Sequence, residues 1–257
     1  MRLSDHILDW FFPDDPTKTL TYQYAQLIRA RNDLFSIILK PFMTRTKLEL
    51  HNDTDHPVLT YLTLGATPGC VQDVGEITVS DGITIDRLYP LQGSLVLPPK
   101  TTLTLAAPEG LGFNGNFSFG TPPLNCPCPE WPEGVCLAEF ILNNSFQAGG
   151  QETVDISGVC GANAYIGFDL SSNNWTTNGG AVLVKSIRNG TRYENTGLVG
   201  VYPYSCTDCT ASVAAPGCVG EHPEYANSQP ICNVQRPAMS PGGVVRVIFF
   251  GWTPVPC

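Results

Sequence analysis

Ten cysteines offer the most evident chemistry in this chain: Cys70, Cys126, Cys128, Cys136, Cys160, Cys206, Cys209, Cys218, Cys232 and Cys257. Cys206-Thr207-Asp208-Cys209 has the spacing of half a zinc site, in which four thiolates would close a tetrahedron around the ion. Cys218 and Cys232 do not complete it, because thirteen residues divide them. An even count in a chain with 25 Gly and 22 Pro reads instead as a disulfide framework. All ten are therefore expected in disulfides, with connectivity open and no metal. His6, His51, His56 and His222 lie apart, without the spacing of a metal site or a neighbouring nucleophile motif. No Gly-rich turn joins a strand to a helix, so neither a nucleotide nor any other cofactor is expected.

Composition narrows the class. The chain has 257 residues, 42% hydrophobic and only 14% charged, with a formal charge of −9. That balance argues against a nucleic-acid footprint. No apolar run approaches the ~18 residues of a membrane span. The charge is uneven: residues 1–45 hold six basic and five acidic side chains, and the remainder hold eight and 18. Two pieces of protein are implied, residues 1–45 and 46–257.

In the first piece, a short helix is expected before Pro13 and a second from about Thr19 to Leu39. Tyr24, Leu27, Ile28, Leu34, Phe35 and Ile38 make an apolar stripe along the second. The stripe suits either cover for a sheet edge or an arm docked on another protein subunit. The N-terminus lacks the apolar core and cleavage site of a signal peptide. Five sequons, at Asn52, Asn116, Asn143, Asn174 and Asn189, fit a surface protein.

From Thr46 the period becomes two, the mark of half-buried strands. Lys47–His51 and Leu59–Leu64 alternate and are expected to meet as a hairpin across Asn52–Pro57. Ser94–Leu97, Thr102–Leu105, Leu137–Leu142, Thr153–Ser157, Ala164–Phe168, Ala181–Ile187 and Val244–Phe250 read as further strands. Gly, Asn and Pro punctuate them. A Cys-rich excursion is expected at about 200–240. The fold class is all-β, an antiparallel sandwich with a helical extension.

The order Leu137-Ala138-Glu139-Phe140, then Asp155-Ile156-Ser157, then the closing Val244–Phe250 strand and Cys257 resembles the thaumatin-like family. The resemblance spans about residues 46–257. It implies an acidic cleft linked to β-1,3-glucan binding and, in some members, weak hydrolysis. The family's pattern is one Arg, one Glu and three Asp. Glu139 and Asp155 match two of these positions, whereas Cys160 stands where the next Asp would fall. No Arg occurs between Arg87 and Arg188. The cleft is thus expected to be vestigial and not catalytic, with Trp131, Trp175 or Tyr165 as stacking platforms if a glycan binds. Strand carboxylates that serve turn amides are the plainer reading of Glu139 and Asp155. Two functions follow. One is a disulfide-tied exterior domain of a virion shell, coat or extracellular layer, anchored through residues 1–45. The other is a secreted glucan-binding or weakly glucan-cleaving protein.

Overall fold

A computed structural model describes residues 45–120, 134–144, 151–159, 161–172, 174–177, 183–191, 194–195, 197–203, 234–237 and 242–253. The expected N-terminal helices, with Tyr24, Leu27, Ile28, Leu34, Phe35 and Ile38, lie outside them. So do most of the Cys-rich excursion and Trp131.

Strict alternation along the strands builds two sheets. The first runs in the order β12-β10-β15-β1-β6-β3. Its members are β1 (Lys47–Asn52), β3 (Thr78–Val79), β6 (Thr102–Ala106), β10 (Ala164–Leu170), β12 (Ser186–Arg188) and β15 (Val244–Trp252). The second runs β11-β14-β9-β8-β7-β2-β5-β4, with β13 pairing β9. It contains β2 (Val58–Leu64), β4 (Asp86–Tyr89), β5 (Gln92–Leu97), β7 (Phe113–Phe119), β8 (Leu137–Leu142), β9 (Gln151–Ser157), β11 (Thr176–Thr177), β13 (Val201–Tyr202) and β14 (Val234–Pro237). This is the expected all-β sandwich.

Inward-facing residues of both sheets form one core, including Leu50, Phe168 and Val247 from the first and Leu62, Phe117 and Phe140 from the second. Phe119 and Phe249 meet across it with ring centroids 5.0 Å apart. Burial of this apolar surface, at roughly 25 cal/mol per Å², is the main force holding the sheets together.

Three expectations about the strands are corrected. The pairing is not wholly antiparallel: β1 lies parallel to β15, and β13 parallel to β9. A parallel pair needs a long crossover, and between β1 and β15 nearly the whole domain supplies it. Among the described residues of the Ala181–Ile187 run, a strand begins only at its end, Ser186–Arg188, with an isolated bridge from Leu183 to Thr176. Finally, β1 and β2 do not form a hairpin, because they belong to different sheets.

Asn52 gives the physical reason for that last correction. Its buried amide donates to the carbonyls of His56, Leu97 and Pro98, while its Oδ1 accepts from the amide and hydroxyl of Thr54. One side chain thus ties the β1–β2 corner to the β5–β6 corner where the chain changes sheet. A local hairpin would leave those carbonyls unpaired, which is costly under burial.

A second polar cluster lies beneath the surface at the start of the domain. Arg236 on β14 forms an ion pair with Glu152 on β9 at 2.6 Å, both side chains almost fully buried. The Thr46 hydroxyl donates to Glu152 and accepts from Arg236 and the Gly242 amide. The Asn143 amide also donates to Glu152, and Arg236 lies 4.6 Å from the ring centre of Trp175. Every charge here has a partner.

Candidate functional site: a carboxyl pair on the open sheet face

Along β8, Ala138, Phe140 and Leu142 point into the core, so Leu137, Glu139 and Ile141 take the other face. On β9 the same parity buries Glu152, Val154 and Ile156 and turns Thr153 and Asp155 outward. The register sets Glu139 directly opposite Asp155. Two carboxylates in that relation repel unless a proton or cation intervenes. A hydrogen bond between the two side chains contributes to the shift of each, an arrangement that one protonated carboxyl satisfies.

Their surroundings strengthen the effect. Burial, then the charge of Glu139 and the hydrogen bond to it, holds the Asp155 carboxyl well above its ordinary 3.8. Burial raises Glu139 above 4.5, partly offset by its bond to Asp155. The Tyr202 phenol on β13 is pushed up to about 12, by burial first and then by the two carboxylates. The expectation that these carboxylates serve turn amides is therefore corrected: they face each other.

The register extends the pair into a polar row. Asn116 on β7 stands beside Glu139, Thr63 on β2 beside Asn116, and Gln92 on β5 beside Thr63. Gln92 donates its amide to the Thr63 hydroxyl at 3.1 Å. Glu139, Asp155, Asn116 and Thr63 line a recess of about 300 Å³, with Asn114 and Gly115 also on its wall. Asn114 is held by a hydrogen bond to the Thr67 hydroxyl. A Cβ on Gly115 would come 2.3 Å from the Thr63 carbonyl oxygen, so only glycine lets β2 and β7 close at this point. Two oxygens remain without a hydrogen-bond donor although shielded from solvent, Asp155 Oδ1 and Asn116 Oδ1.

The other expected site residues do not join this recess. Tyr165 faces outward from β10 in the first sheet, whereas the carboxyl pair lies on the second. Trp175 is wholly buried, its indole N–H donating to the Ser172 hydroxyl and its ring against Arg236. A residue packed in that way offers no ring to a sugar, which corrects its assignment as a stacking platform.

Cys70 and Cys136 are free buried thiols, which corrects the expected disulfides for these two. Burial raises each thiol to about 11, far from the reactive thiolate. Cys136 Sγ donates within the core to the Asn163 side chain and the Ala164 carbonyl. The other eight cysteines lie outside the described residues. Among the described residues, no three His, Cys, Asp or Glu side chains converge. No described helix is long and apolar enough to cross a membrane.

The sequons also divide once the fold is known. Asn52 and Asn189 are buried with their amides bonded to backbone, so neither accepts a glycan in the folded chain. Asn174 is exposed at a positive φ of 72°.

Comparison with known proteins gives a likeness of strand arrangement. A solved structure of the thaumatin-like xylanase inhibitor TLXI aligns with 79% of this chain and 98% of its own, at 13% identity and a TM-score of 0.36. No protein-family model matches the sequence, and no curated protein does. The likeness is too slight to carry an argument, and the sandwich stands on its own strand pairing.

Asn116 and Thr63 are members of the recess that the sequence did not point to. Alternation within Phe113–Phe119 separates Asn114, Asn116 and Ser118 from Phe113, Phe117 and Phe119 only in part. Which strands neighbour β8, and in what register, has no local signal.

Proposed function

We propose that this chain is a non-catalytic interaction protein whose carboxyl recess holds a hydroxyl-rich ligand such as a glycan without cleaving it. The observation that carries this reading is the contact between Glu139 and Asp155. Glycoside hydrolysis sets its two carboxyls about 5–5.5 Å apart for a covalent intermediate, or about 6.5–9.5 Å apart to admit a water. Groups that share a hydrogen bond leave room for neither the sugar ring nor the water. The carboxyl, amide and hydroxyl groups of Glu139, Asp155, Asn116 and Thr63 on the recess wall instead suit the O–H groups of a saccharide.

The test is calorimetric titration of the protein with β-1,3-glucan oligosaccharides, alongside a reducing-sugar assay. Saturable binding that weakens in Glu139→Gln, with no sugar released, is the expected outcome. Sugar release that vanishes in that variant would overturn the non-catalytic reading.

A second reading places the same sandwich on the exterior of a larger assembly such as a virion shell, coat or extracellular layer. Its support is the apolar stripe that Tyr24, Leu27, Ile28, Leu34, Phe35 and Ile38 form at helical spacing in the sequence. Native mass of the full chain against one beginning at Thr44 tests it. Oligomers that become monomers on truncation support an anchoring arm; monomers in both cases discard it.

A further inference from the structure

The row across β7, β8 and β9 contains more negative oxygen than its own hydrogens can satisfy. Glu139 and Asp155 stand directly opposite each other across β8 and β9 and line the same recess. Asp155 Oδ1 and Asn116 Oδ1 are both shielded from solvent, and neither receives a hydrogen bond. Such acceptors ordinarily find a partner, and one left bare is costly. Asn116 is independent of the acidic pair in charge and in strand, and it lines the same recess.

We infer that the recess is a site for a hard divalent cation of calcium type, held by the carboxylates of Glu139 and Asp155 and by the amide oxygen of Asn116. Register neighbours on adjacent strands have Cβ atoms about 4.5–5.5 Å apart, so their side-chain oxygens can converge on one ion bound at about 2.3–2.6 Å. Two carboxylates cancel the charge of a divalent ion, and the amide carbonyl is a usual third donor. The recess of about 300 Å³ leaves space for waters to complete the shell. Cysteine and histidine are absent from its wall, so softer ions such as zinc have no preferred ligand there. Binding is an exchange: the proton between the carboxyls leaves for solvent as the cation enters, and no bond to carbon changes. This is a different property of the recess from saccharide binding, and it holds whether or not a glycan enters.

The experiment is calorimetric titration of chelator-treated full-length protein with calcium chloride, with magnesium chloride in parallel and no saccharide present. One site with a dissociation constant of roughly 10⁻⁴–10⁻³ M is expected, as for three protein ligands on an open surface. Magnesium should bind at least about tenfold more weakly, since it demands a tighter octahedron. Glu139→Gln and Asp155→Asn should each weaken calcium at least tenfold, and Asn116→Ala severalfold, with circular dichroism unchanged. Tyr165→Ala, on the other sheet, should bind as the native chain does. No calcium heat in the native protein overturns the inference whatever the variants do. Undiminished binding in a folded Glu139→Gln/Asp155→Asn double variant overturns it too. Because sugar is absent, either failure is distinct from a failure of the glycan reading.

Discussion

Glu152 and Asp155 sit three positions apart on the same strand, and the fold treats them in opposite ways. Glu152 points into the protein, where an arginine, a hydroxyl and a backbone amide meet its carboxylate. Asp155 points to the open face, where the residue opposite it is another carboxyl whose charge acts on it. A strand can carry both because successive positions alternate faces, so an odd separation puts the two residues on opposite sides. The difference teaches what each is for. A buried charge with every partner supplied serves the fold, whereas a like-charge pair kept at a recess has no structural benefit and marks a candidate site.

The comparison breaks most visibly on the buried side. Arg236→Met should destabilise the protein by about 3–5 kcal/mol, because Glu152 would remain buried without its counter-charge. Denaturant unfolding measures this, and a loss below about 1 kcal/mol would mean that water reaches Glu152. Next in size is the corner clasp: Asn52→Ala should cost about 2–3 kcal/mol by leaving the carbonyls of His56, Leu97 and Pro98 unserved.

On the open face the sign reverses. Asp155→Asn should leave the fold intact and stabilise it at neutral pH by about 1 kcal/mol, in the manner of other site residues kept at a cost. The pH dependence follows from the raised carboxyls. Both bind a proton more tightly folded than unfolded, so the native chain is favoured below the ordinary Asp value of 3.8 and loses that advantage as pH rises through the folded value. Thermal unfolding from pH 3 upward should therefore show the Asp155→Asn advantage widening with pH. An advantage that is constant with pH would disprove the shared proton. The smallest effect is the sharpest control: Tyr165→Ala should leave saccharide binding unchanged, because the residue belongs to the other sheet. A marked loss there would show that the wrong face has been assigned.

How much of this was legible beforehand differs by scale. Alternation of apolar residues marked Lys47–His51, Leu59–Leu64, Leu137–Leu142 and Val244–Phe250 as strands, because a half-buried strand must repeat every second residue. It also placed Glu139 and Phe140 on opposite faces. Only the tertiary structure decided which strands are neighbours. Asn52 looked like a turn residue and a glycan acceptor, yet its amide fastens two corners that the chain brings together from 45 residues apart. Trp175 looked like a binding platform, yet Arg236 covers it from a distant strand. Likewise, Glu139 and Asp155 each appeared in the sequence as a single strand carboxylate. Their meeting depends on the β8–β9 register, and slipping that pairing by one residue would turn one of them into the core. Side-chain period is local and is written in the chain; pairing, register and the carboxyl pair they create are properties of strands in contact.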